Sequence, residues 1–220
     1  MCIRDSRKMP TTAFGQLEGA MAALGHWEPL VRWKASATLG RLADGDPSVA
    51  QKLMEALDDP QDEVRAGAAR AFGFSEKAGG DAAIKRMFEL LVKDRGVTVQ
   101  AAAAETLIAR ADGAGALIDP LLDVFKTRRP GSKRTSSILL VLARLAPKAS
   151  ASQKRRIMEL SIAQLSRAPT GALGALRALG PEAKAALPKI RAYRETADRY
   201  RRDYIDSHVL PAIAPPARKQ

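Results

Sequence analysis

The most reactive side chains in this chain are two histidines, one cysteine and a set of scattered carboxylates. A catalytic histidine needs a nucleophile or substrate proton within hydrogen-bond reach and a third group to orient it. His26 stands beside Trp27 in a segment that reads as a turn, and His208 lies near the end of the last helical pattern. No Cys or Ser motif, Gly-rich phosphate loop or paired-carboxylate spacing accompanies either one. Both read as surface histidines. Asp58-Asp59 falls at a helix junction, where capping of orphan N–H groups accounts for an acid. One cysteine and two histidines also exclude a disulfide framework and a zinc site built from those residue types. These residues point to no catalytic group, no metal, no cofactor and no small-molecule substrate.

Binding chemistry is better supplied. Lys and Arg number 36 against 24 Asp and Glu, a net charge of +12. Residues 1–110 hold 15 basic and 15 acidic side chains, whereas residues 111–220 hold 21 and 9, so the second half carries the whole excess. Such asymmetry fits an anionic partner for that half, whether nucleic acid, a membrane surface or an acidic protein. Lys126, Arg128 and Arg129 end a helical pattern, where cations suit the helix dipole. Lys133 and Arg134 open the next helix, and Lys154, Arg155 and Arg156 open the following one. There the dipole disfavours a cation by about 0.3–1 kcal/mol each, so these charges point more strongly to a partner. The two turns belong to opposite edges of a helix pair, roughly 20 Å apart for helices of about 13 residues, and are not expected to form one strip.

A third set lies towards the C-terminus: Arg191, Arg194, Arg199, Arg201 and Arg202, with Tyr193, Tyr200 and Tyr204 at spacings of seven and four on one helical face. The tyrosines read as covering the last repeat, with Glu195, Asp198, Asp203 and Asp206 pairing the arginines. The sharper alternative is a base-stacking face. Trp33 reads either as a binding anchor or as core, and both readings stay open.

The elements that position these residues are helices. With 41 Ala and 24 Leu against 5 Phe, 3 Tyr and 2 Trp, composition favours helix throughout. Apolar runs of five or six residues are too short to cross a bilayer. Similar helical segments begin at Val31 (VRWKASATLGRL), Val64 (VRAGAARAFGFS) and Val99 (VQAAAAETLIAR), with weaker copies at Arg134 and Gly171. Their offsets are 33, 35, 35 and 37 residues. Within them small or apolar residues recur every four positions, as in Val31, Ala35 and Leu39. A second pattern with larger apolar residues lies between them, as in Ile84, Met87, Phe88 and Leu91. Each unit is thus an outer helix, a turn and an Ala-rich inner helix, which must stack on its neighbours to bury its stripe. Asp46-Pro47 and Asp59-Pro60 each place a capping acid before a proline at a helix start. Asp119-Pro120, inside a pattern that begins near Gly115, means either a helix that starts late at Pro120 or one kinked there, with the kink the favoured reading.

The segment LDDPQDEVRAGAARAFG (Leu57 to Gly73) resembles a HEAT repeat of the bacterial kind grouped with the phycobilisome-lyase HEAT-like repeats, and RALGPEAKAALPKI (Arg177 to Ile190) resembles the same family's linker. The likeness covers about residues 12–192. It implies an all-α fold, a right-handed α-α superhelix or HEAT-like solenoid of about five helix pairs. It also implies an Asp–Arg ladder between repeats: Asp62 with Arg65 keeps that pattern and Arg32 keeps its Arg, while Gln100 and Thr135 interrupt it. Residues 1–10 read as a disordered tail carrying an assembly scar of metagenomic type, 11–207 as the repeat domain, with one charged helix from Ala183 to about Ser207, and 208–220 as a flexible tail. No signal peptide is visible; a cytoplasmic protein is favoured, with export open if the natural N-terminus is missing. The resemblance implies a non-enzymatic protein–protein interaction scaffold whose inner helices line a concave face. The contact residues expected there are Trp33, Lys34, Arg41, Arg70 and Arg144, with Arg128, Arg129, Lys133 and Arg134 from the basic turn. Nucleic-acid binding by the basic half and a lyase-like accessory role are the alternatives.

Overall fold

The computed structural model describes residues 13–127 and 132–215, and every regular element among them is a helix. No helix among the described residues is long and apolar enough to cross a membrane. The chain divides into two compact units at Arg110 and Ala111, the same point at which the charge balance changes. Each unit is a stack of helix pairs, so the architecture is an all-α solenoid type.

Unit 1 contains three pairs: α1 (Ala13–Ala23) with α2 (Pro29–Gly45), α3 (Pro47–Ala56) with α4 (Asp62–Phe74), and α5 (Gly80–Lys93) with α6 (Val97–Ala109). The inner helices α2, α4 and α6 pack side by side. Their small residues permit this: Ala68, Ala69, Ala71, Ala102 and Ala103 are buried, and the outer helices supply the larger Leu53, Met87 and Leu91. Where α4 meets α6, the Thr106 hydroxyl donates to the Ala69 carbonyl at 2.7 Å, and Gly73 leaves room for it. Val31, Val64 and Val99 occupy equivalent places at the start of the three inner helices. Asp46 serves two helices at once. Its N–H donates to the Leu42 carbonyl to end α2, and its carboxylate accepts from the Ser48 N–H at 2.9 Å, with Pro47 at the first helical position of α3. Asp59 does not repeat this. Its carboxylate accepts from the Gln61 N–H at 2.8 Å in the turn, and α4 begins only at Asp62.

The turn before each inner helix is held by one side chain. Arg32 donates to the carbonyls of His26 (2.7 Å) and Trp27 (2.8 Å), and Arg65 to those of Asp59 (2.7 Å) and Pro60 (3.0 Å). Gln100, at the same register, donates to the Asp94 carbonyl at 2.9 Å. Glutamine thus keeps the turn contact. The ladder survives at Arg65, which also holds Asp62 at 2.5 Å and Asp94 of the following repeat at 3.0 and 3.2 Å.

Unit 2 contains α7 (Ile118–Thr127) with α8 (Ser132–Leu145), α9 (Ala151–Gln164) with α10 (Pro169–Leu179), and a third pair. The expected kink at Pro120 is absent. A 3-10 turn over Gly115–Leu117 leads into α7, so Pro120 sits in the first α turn, where its missing N–H removes no bond. A capping box of Ser150 and Gln153 starts α9. The expected single closing helix is two helical arms. A 3-10 segment, Gly180–Ala186, runs into α11 (Leu187–Thr196), the chain breaks at Ala197, and Asp198 caps a new helix by accepting from the Arg201 N–H at 2.8 Å. That second arm is α12 (Arg199–Tyr204), a π turn (Ile205–Val209) and α13 (Leu210–Ile213). It packs on α10 as an inner helix, with Ile205, Val209 and Ile213 fully buried. Residues 208–213, read from the sequence as tail, are therefore part of the packed structure. Gly171, Ala175 and Leu179 recur as Ile205, Val209 and Ile213 after 34 residues, so the period continues once more than the five sequence copies.

Candidate functional site

On the solvent side of the inner helices of unit 1 lies a group of exposed apolar residues. Trp33 is 52% exposed and so is not core. Its ring meets that of Phe74, itself 37% exposed, edge to face at 5.3 Å between centroids. Leu30, one turn before Trp33 on α2, is half exposed as well. Phe74 stands 33 residues after Arg41, at the same register position, and that equivalence is the signal by which sequence reading could have found it. Three cations share the face. Lys34 and Arg41 are exposed, with the Arg41 Nε bonded to the Ala37 carbonyl at 3.1 Å, and Arg70 pairs with Glu105 of α6 at 3.3 Å. Trp33, Lys34, Arg41 and Arg70 are thus brought onto one helical layer of unit 1. Large exposed rings beside Arg are the composition that dominates protein interfaces, because they bury much area at small entropic cost.

Arg144, Lys133 and Arg134 belong to unit 2. Arg144 is exposed in the last turn of α8, Lys133 is exposed in its first turn and Arg134 is half-buried. Arg128 and Arg129 lie outside the described residues. The cations that open α9 have local employment that the sequence did not reveal. Lys154 pairs with Glu182 at 2.9 Å, and Arg156 bridges Asp119 and Asp123, the latter at 2.6 Å. Charge against the helix dipole is here repaid by ion pairs between outer helices, while Arg155 stays exposed. Tyr193 lies on α11 and Tyr200 and Tyr204 on α12, so the three tyrosines do not share one helix face. Arg194 instead reaches across the break to grip Asp206 with two bonds of 2.7 Å, which holds the Asp206 carboxyl below the usual carboxylate range.

No hydrolytic constellation emerges around His26. Its Nδ1 accepts from the Glu28 N–H at 3.1 Å and its ring lies against Trp27. It borders an open cleft of about 760 Å³ with Met21, Lys52, Glu55 and Asp59, but the Asp59 carboxylate is already engaged by its own turn.

The strongest carboxylate anchor of unit 1 is Asp44, near the end of α2. It accepts from the Ser75 hydroxyl at 2.6 Å and from the N–H groups of Glu76 (2.9 Å), Lys77 (3.0 Å) and Ala78 (3.3 Å). Arg110 closes the same turn from the other side by donating to the Ala78 carbonyl at 2.6 Å. Desolvation works to raise the Asp44 carboxyl, but the four donors favour its charged form and bring it from 3.8 to about 2. A depressed carboxylate contributes stability above its unfolded value and loses it as pH falls through the folded one. Asp44→Asn is therefore expected to cost about 1–3 kcal/mol at neutral pH. The gap to wild type should close between about pH 4 and pH 2, as followed by urea denaturation at each pH.

Comparison with known proteins agrees with this geometry. Residues 16–73 match the family model described as HEAT repeats. The crystal structure of an engineered protein is similar over 91% of this chain and 99% of its own, with a TM-score of 0.54 and 20% sequence identity, a likeness of fold alone. No curated protein gives a match.

Proposed function

We propose that this chain, which matches a HEAT-repeat model over residues 16–73, binds a partner protein on the inner-helix face of unit 1 and acts as a non-catalytic scaffold, a use to which stacked helix pairs are commonly put. The observation that carries this reading is the exposed Trp33–Phe74 pair. Two large rings left in water forgo the stabilisation that burial would give, and a partner that covers them recovers it. Lys34, Arg41 and Arg70 form a cationic rim around them, which favours a partner segment combining a bulky apolar side chain with carboxylates. The mechanism is complementarity of shape and charge, without bond-making.

The test is retention from nuclease-treated lysate of the native host on immobilised chain, followed by affinity measurement on the purified retained protein. Trp33→Ala is expected to weaken that complex by about 2 kcal/mol, roughly thirtyfold, with Arg70→Ala contributing less because Glu105 competes for its charge. Retention unchanged by Trp33→Ala, Phe74→Ala and Arg70→Ala would remove the proposal.

A further inference from the structure

We propose that the inner-helix face of unit 2 binds single-stranded nucleic acid, a second binding activity independent of the unit 1 face. The starting point is which charges the fold consumes. Asp112, Asp119, Asp123, Glu182, Glu195, Asp198 and Asp206, seven of the nine acids in this unit, are ion-paired within it. Asp119, Asp123 and Glu182 pair Arg156, Lys126 and Lys154 on the outer side, where Arg155 stays exposed. Lys133, Arg144 and Arg177 remain on the inner helices, with no acid among the described residues within ion-pair distance.

Register places them together. On α8, Lys133, Leu140 and Arg144 lie on one exposed face; on α10, Thr170 and Arg177 follow Lys133 and Leu140 by 37 residues, with Gly174 on the same face. Contacts confirm continuity. A side chain at Gly174 would lie 3.2 Å from Leu140 of α8, and the Arg177 guanidinium donates to the Tyr204 hydroxyl of the last arm at 3.4 Å. Tyr204 stacks on His208 at 5.2 Å with an 18° tilt, and Tyr200, one turn earlier on the same side, is 82% exposed. Unpaired cations on α8 and α10 beside the open Tyr200 ring supply the two parts that sequence-tolerant single-strand binding requires: charge for phosphates and a π-face for an unstacked base. An acidic protein would use the cations but gains little from a solvent-facing tyrosine ladder. Asp203, for which no ion pair is found among the described residues, points roughly 100° away from Tyr204 and roughly 60° away from Tyr200 round the helix, so it flanks the ring face.

The experiment is fluorescence anisotropy of the full chain with a short labelled oligothymidylate, titrated with salt. Binding should weaken with a log–log slope of about −2, near −0.7 per phosphate contact. Arg144→Ala with Arg177→Ala should bring the slope towards about −0.7. Tyr200→Ala should weaken oligothymidylate about fivefold or more while leaving inorganic polyphosphate unchanged. All three side chains are exposed, and circular dichroism checks that the variants keep their helices. Trp33→Ala should bind the oligonucleotide as wild type does, which separates this face from that of unit 1. Absent salt-sensitive binding, indifference to Tyr200→Ala, or equal displacement by polyglutamate would each overturn the proposal, the last in favour of an acidic protein partner.

Discussion

Arg65→Ala is expected to destabilise unit 1 by about 2–4 kcal/mol, measured by urea denaturation at neutral pH. The side chain is 14% exposed and its charge-assisted bonds are concentrated at one junction: Asp62 at 2.5 Å, two bonds to Asp94, and the carbonyls of Asp59 and Pro60. The hydrogen bonds Arg65 donates to Asp94 outweigh desolvation and raise its guanidinium above the ordinary value, so the ion stays charged at every accessible pH. Truncation takes the guanidinium away from the Asp94 carboxylate, which is only 9% exposed and keeps its bond from the Gly96 N–H at 2.7 Å. The loss thus includes the weaker compensation of a largely buried charge as well as the worth of the contacts themselves. Two comparisons isolate that cause. Arg65→Lys keeps the charge but loses the planar fork, and should fall between wild type and alanine. In an Asp94→Ala background the further cost of Arg65→Ala should shrink by about 1–3 kcal/mol, the coupling of two residues in direct contact. Equal costs in both backgrounds would mean that Arg65 acts through its turn carbonyls alone.

The helix-pair register was legible in the sequence because it rests on periodicity: Val31, Val64 and Val99 recur with Ala and Leu every four residues, and such a stripe is buried only by stacking. What escaped was set by contacts that periodicity does not encode. The last pair reads as one helix and a loose tail because arginine and tyrosine dominate its composition, and because Asp198, which does pair Arg201 as expected, also caps the start of a new helix. The four-residue spacing of Ile205, Val209 and Ile213 was nevertheless present. Lys154 and Arg156 looked like charge awaiting a partner because their acids, Glu182 and Asp119, lie 28 and 37 residues away. Of the candidate surface, Trp33, Lys34, Arg41 and Arg70 follow from register; Phe74, 33 residues after Arg41, carries the same signal, but a phenylalanine on an inner helix reads as core until its neighbours are seen.

Gly40→Ala should be at least as damaging to the fold and should disable the candidate surface with it. Gly40 stands where α2 crosses closest to α4: a methyl group there would collide with the Ala71 carbonyl oxygen and lie 2.8 Å from the Phe74 Cβ. Neither neighbour is the far end of a flexible side chain. One is helix backbone and the other is fixed at its Cα, so α4 must move bodily away from α2. Overpacking of this kind costs about 1–3 kcal/mol in ordinary cores, and the upper end is expected here because the obstacle is backbone. The gain from replacing a helical glycine, about 1 kcal/mol, offsets only part of it. The displaced end of α4 carries Phe74, whose ring meets Trp33 at 5.3 Å, so the aromatic pair should open. In a Trp27→Phe background Trp33 is the only tryptophan left, and its emission should shift to the red and become more accessible to quencher in Gly40→Ala. A partner anchored on the pair should then bind as weakly as it does to Trp33→Ala, although every contact residue remains in place. If stability falls while Trp33 emission and partner affinity stay unchanged, the packing argument holds and the assignment of the aromatic pair as the anchor does not.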